Sequence, residues 1–266
     1  MTEKEWPACT DPYSMLEFLR GKASDRKLRL FACACCRRVW HFLSDERSRR
    51  AVDISEKYAD GLATETERET ARAEAREALE TVRTARYRER PSEYYNPLDA
   101  AADAAYAAIA FVAFPPSDEL NLPRSDFFVS AAGGAANAIA AHRLRVAEAG
   151  EAAALATDIR LLREDGGDEA MWNDTRAREW SLHAGLLRDI FGNPFRLVTI
   201  DPSWRTSTVT NLAAAIYDER AFDRLPILAD ALEDSGCTNA DLLNHCRQAG
   251  VHVRGCWALD LVLGKE

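Results

Sequence analysis

The chain has 266 residues, of which 47% are hydrophobic and 29% charged, and its net charge is −9. That is enough apolar material for one large or two small globular domains, and 13 glycines and 10 prolines are too few for a disordered or low-complexity chain. The acidity argues against a generic nucleic-acid binder. No run reaches the roughly 18 apolar residues of a membrane-spanning helix, and the opening MTEKEWPACT is not a signal peptide. Seven cysteines, two of them the adjacent Cys35 and Cys36, do not suit a secreted disulfide framework. The expectation is a cytoplasmic protein with free thiols, and no membrane association.

The first helix follows Asp11-Pro12, buries Met15, Leu16, Phe18 and Leu19, and stops near Gly21. Ser24 or Asp25 caps a second helix from Arg26 to about Leu43. Its centre, Leu28 to Cys36, is apolar nearly all round and should be buried on most sides. Ser44 caps a third helix that ends at Gly61, with Asp45 and Glu46 in its first turn, where the macrodipole favours anions. Residues 64 to 90 form a charged helix with a narrow seam of Ala71, Ala75, Ala78, Val82 and Ala85, stopped by Arg90-Pro91. A further helix runs from Pro97 to Ala113, residues 115–126 are the linker candidate, and a small-residue helix begins at Ser130.

The second half continues the helical pattern. Trp172, Arg176, Glu179, Trp180 and His183 share helical spacings, and Gly192-Asn193-Pro194 makes a turn. Leu197 to Ile200 is the only run with strand character. Helices then cover Val209 to Phe222, Leu225 to Gly236, a segment opened by a capping box at Thr238 to Asp241, and His252 to Leu263. The fold class expected is all-α, an array or bundle of about nine to twelve helices with little or no β structure. The organisation expected is an N-terminal lobe over 1–114, the linker, and a C-terminal lobe over 127–266, or one continuous domain.

Chemistry concentrates at the C-terminus. Cys237, His245, Cys246, His252 and Cys256 supply thiols and imidazoles, the donors that zinc takes in tetrahedral sites. On a helix from His252, that residue and Cys256 would share a face. The spacing matches no zinc-finger pattern, so the competing reading makes the cysteines small buried hydrophobes. No cofactor is therefore predicted, and zinc is the metal this cluster would take. The cluster's apolar periodicity leaves His252 and Arg254 without a packing explanation.

Elsewhere the signals are sparser. Cys33 and Cys36 form a CxxC, but in mid-helix rather than at a helix start, where the dipole would activate a thiol, so packing is favoured over redox chemistry. Glu179 and His183 beside tryptophans are candidate catalytic residues, a carboxylate and an imidazole capable of acid–base work. A core stripe competes with that reading. Segment 20–50 is rich in arginine and lysine, and a solvated, ion-paired face is favoured there over phosphate binding. Serine-hydrolase elbows, P-loops, GxGxxG turns and HExxH helices are absent from the sequence.

Three blocks together resemble a bacterial family of hypothetical proteins. They are Asp11-Pro12 with Met15 to Leu19 and Lys22 to Trp40; Leu186 to Arg196 with Asp201 to Trp204; and Leu225 to Cys237 with His252 to Glu266. The resemblance covers most of the chain and implies a whole family member. It carries over no catalytic residue, cofactor or partner. The function expected is a protein-interaction or regulatory helical module whose partner is another protein. The alternatives are a metal-binding or enzymatic domain on the Cys/His cluster, and nucleic-acid binding through segment 20–50.

Overall fold

The structure, a computed structural model, describes residues 1–89, Ala135 and 167–265. The expected helix over Pro97 to Ala113, the linker 115–126, most of the small-residue helix from Ser130, and the side chains of Val82, Ala85 and Trp172 lie outside the described residues. Within them every regular element is helical, as the periodicity requires. The chain divides into two units, Thr10–Ala184 and Met1–Cys9 with Gly185–Glu266.

Helix α1 (Glu5–Ala8) is short and buries Trp6. Helix α2 (Pro12–Leu19) starts at Asp11, whose carboxylate accepts the Tyr13 and Ser14 N–H groups at 3.0 and 3.2 Å, with Pro12 in the first turn. Ser24 caps α3 (Asp25–Arg38) by accepting the Lys27 N–H. The α-helix stops at Arg38, short of Leu43, and a 3-10 turn over Trp40–Phe42 completes the segment. The Leu43 N–H closes that turn on the Trp40 carbonyl, and the chain turns tightly again at Ser44, whose N–H donates to the Phe42 carbonyl. The next helix begins one residue later than expected, and Asp45 rather than Ser44 caps α4 (Glu46–Ala59), its carboxylate accepting the Arg47 N–H at 2.9 Å. Thr64 and Glu67 form a reciprocal capping box at the start of α5 (Glu65–Glu89).

In the Thr10–Ala184 unit, α4 packs on both α3 and α5. Leu30 through Cys36 are all buried, which places Cys33, Cys35 and Cys36 in the core as free thiols. Burial pushes Cys33 up to about 12, and Cys35 further still. These thiols are protonated at neutral pH, as the mid-helix position implies. Ala51 of α4 meets Ala71 and Ala75 of α5. The small-residue seam thus lets two helix backbones approach closely, with most of the charges of α5 outside and Arg68 buried. Several arginines of the basic segment are paired with carboxylates: Arg26 with Asp60, Arg37 with Glu56 and Asp53, and Arg50 with Glu74.

The second unit contains the end of α6 (Gly167–Phe191), then α7 (Ser207–Glu219), α8 (Leu225–Asp234), α9 (Ala240–Arg247) and α10 (Trp257–Leu263). Helix α8 packs on α7 and α9, and α10 packs on α7 and α9. Their shared core runs from Val209, Ile216 and Tyr217 through Leu228 and Leu232 to Leu259 and Val262. Three expectations need correction here. Leu197 to Ile200 forms no strand: Val198 and Ile200 pack on the helical core while Leu197 is 88% exposed, and among the described residues no second strand lies beside the run to pair with it. Asn239, not Thr238, caps α9, its Oδ1 accepting the Leu242 N–H at 2.9 Å. The last helix begins at Trp257 rather than His252, because Gly255 adopts φ +91° and breaks any earlier start.

Candidate metal centre

Four side chains from four places in the chain meet in the second unit: Asp189, His245, His252 and Cys256. One ligand atom from each lies within 4.8 Å of all the others. Asp189 sits in the last turns of α6, between the buried Leu186, Leu187 and Ile190. His245 projects from the last turn of α9. His252 lies on the loop between α9 and α10, and Cys256 is the residue that caps α10.

The distances are short. His252 Nδ1 is 2.6 Å and His245 Nε2 is 3.2 Å from the same Asp189 oxygen, Oδ1. Cys256 Sγ is 3.1 Å from that same His245 Nε2. The second Asp189 oxygen accepts the Val253 N–H at 2.9 Å, which fixes the carboxylate and leaves Oδ1 facing the group. The His245 and His252 rings meet edge to face at 4.9 Å, and Trp257 closes one side at 4.9 Å from His245. Asp189, His245 and Cys256 are buried, and the His252 side chain is 6% exposed.

The electrostatics follow from that burial. Burial alone would raise the Asp189 carboxyl, but hydrogen bonds from His245 and His252 outweigh it and hold it below its ordinary value. Burial opposes charge on His252, yet the Asp189 carboxylate and the Gln248 carbonyl favour its protonation and raise it overall. Burial and the Asp189 charge push the Cys256 thiol well above the usual range, against the helix N–H groups of Ala258 and Leu259.

This arrangement is not a nucleophilic triad. Such a triad places the thiol and the carboxylate on opposite nitrogens of the imidazole. Here both lie at Nε2 of His245, while Nδ1 faces the Gln248 amide at 3.1 Å. A single Nε2–H can donate to only one of two neighbours. Cys256 is also wholly buried and out of reach of a substrate. A tetrahedral zinc with bonds of about 2.0–2.3 Å sets neighbouring donor atoms about 3.3–3.6 Å apart. The 3.1 and 3.2 Å separations lie close to that range, and the 2.6 Å pair would open by about 0.7 Å.

Of the five residues singled out at the C-terminus, three converge. Cys237 and Cys246 instead belong to the apolar core, and burial pushes Cys246 up to about 12. Arg254 parts company with His252: its guanidinium lies 4.9 Å from the Tyr217 ring and donates to the Tyr217 carbonyl at 3.4 Å. Sequence reasoning missed Asp189. Its signal is an acidic residue in the last turns of an apolar helix end, where the macrodipole disfavours an anion.

Glu179 and His183 lie in the other unit, and among the described residues no hydrogen bond joins them. The Glu179 carboxylate accepts from Arg38 at 2.7 and 3.1 Å. His183 is fully buried, and among the described residues neither of its ring nitrogens has a hydrogen-bond partner. Burial, reinforced by Arg38, lowers it to about 3, too low for a general base at neutral pH. No family model, curated protein or solved structure matches the chain.

Proposed function

We propose that the C-terminal unit binds one divalent transition metal of the zinc class through Asp189 Oδ1, His245 Nε2, His252 Nδ1 and Cys256 Sγ. The observation that carries this reading is the meeting of these four buried donor atoms within 4.8 Å. One thiolate, two imidazoles and one carboxylate form a mixed, borderline-soft donor set that suits zinc. The two anionic ligands would neutralise a divalent charge, which a buried site requires. Four protein ligands leave no open position, so the metal's role is structural rather than catalytic. It would clasp the end of α6, the end of α9 and the start of α10. A clasped helical unit accords with the protein-interaction or regulatory role expected from the sequence, and it directs the search for chemistry away from hydrolysis.

The test is elemental analysis of the full chain after zinc loading and gel filtration. About one equivalent of zinc is expected, falling to background in Cys256→Ala and Asp189→Ala. Substoichiometric metal in the wild-type chain, or full retention by both variants, would sink the reading.

A further inference from the structure

We infer that Gln248 is the positioning residue of this centre, the group that holds His245 with Nε2 turned toward the metal. The inference rests on the metal reading above. Gln248 is the first residue after α9 and follows His245 by three positions, so its side chain folds back over the imidazole. Its amide lies 3.1 Å from Nδ1, the ring nitrogen opposite the donor atom. A metal-bound imidazole keeps its proton on the remote nitrogen, and that N–H needs an acceptor to fix the ring's tautomer and tilt. The Gln248 side-chain oxygen supplies it after a half-turn of the amide, whose two ends occupy equivalent positions. The same residue's main-chain carbonyl lies toward His252, whose Nε2 is buried without a hydrogen bond of normal geometry. One residue at the end of α9 therefore bears on both imidazoles. Among the described residues no other side-chain hydrogen bond reaches His245 Nδ1.

Gln248 is exposed, and its backbone is extended, at φ −66° and ψ 140°. Leu and Glu can both occupy the position without strain. Leu keeps the volume and the main-chain carbonyl but removes the acceptor. Glu offers a stronger acceptor, which raises the basicity of the imidazole. The experiment is zinc affinity of the full chain by competition with a chromophoric chelator, with the cobalt-substituted spectrum as a check on the ligand set. Gln248→Leu should weaken binding about 10–100-fold, and Gln248→Glu should bind at least as tightly as the wild type. Both should keep the tetrahedral cobalt–thiolate spectrum and the circular dichroism of the parent. A Leu variant that binds like the wild type, or a Glu variant as weak as Leu, would overturn the role of Gln248 and leave the metal site standing. A wild-type chain that takes up neither zinc nor cobalt would remove the site, and the inference with it.

Discussion

Removing the metal should loosen the C-terminal unit far more than the rest of the molecule. The ligands join residues 63 positions apart at Asp189 and His252, and 11 apart at His245 and Cys256. A metal that binds the folded unit and not the unfolded chain adds about 2.7 kcal/mol when its free concentration is 100 times Kd. For a unit of roughly 90 residues, each kcal/mol moves the midpoint by about 4–8 °C, so the gain is about 10–20 °C. The assay is a thermal melt of the full chain followed by Trp fluorescence, with excess chelator and with free zinc buffered well above Kd. Cys256→Ser should melt at the lower temperature under both conditions, since it lacks the thiolate. Coincident melting curves for the wild-type chain with and without zinc would refute the clasp, because a buried four-ligand site cannot bind its metal without stabilising the fold.

Three further outcomes are expected. Asp189→Ala, unfolded by urea in the presence of chelator, should lose about 3–5 kcal/mol, because it strips the partner from a buried imidazole; a loss below 1 kcal/mol would show that the carboxylate is not held as described. Gly192→Ala should lower stability by about 1–3 kcal/mol, since a Cβ there would lie 3.1–3.2 Å from the Trp257 ring at a φ of +63°; an unchanged midpoint would contradict that close approach. His183 should make the Thr10–Ala184 unit acid-sensitive. Its folded value of about 3 lies below the ordinary 6.5, so between those limits the unfolded chain binds the extra proton and stability falls as pH falls. From pH 6.5 to 5 the loss is about 1.6 kcal/mol, and His183→Leu should remove it; an equal change in unfolding free energy between the two pH values in wild-type and variant chains, from urea titrations, would refute the buried neutral imidazole.

The helical architecture was legible because its signals are local. Asp11-Pro12, Ser24 and Gly61 act on the turn next to them, and the Ala71–Ala75–Ala78 spacing marks one helix face regardless of what covers it. The errors fell where a neighbouring hydrogen bond decides the outcome. Ser44 still lies in the tight turn that follows the 3-10 turn, its N–H on the Phe42 carbonyl, so the helix starts one residue later and Asp45 supplies the cap. The candidate site was legible only in part, for a related reason. His245, His252 and Cys256 stand close in sequence and could be found by composition. Asp189 lies 63 residues from His252, and only the packing of α6 brings it there. The mistaken start of the last helix also hid how the ligands approach. With Gly255 at positive φ, His252 and Cys256 converge from a loop and a helix start, not along one helical face.

The nine N-terminal residues belong to the same unit as the C-terminal third. Trp6 is buried there and donates from its indole nitrogen to the Gly192 carbonyl at 2.8 Å, across 186 residues, while Arg188 donates to the Cys9 carbonyl. On a ribosome adding about 5–20 residues per second, Gly192 is made about 10–40 s after Trp6. For that interval a tryptophan and its flanking segment have no partner to receive them, although α3 and α4 have already been synthesised. Of the two units, the one that holds the four-residue cluster is therefore the later to be completed, since Cys256 is synthesised well after α3 and α4.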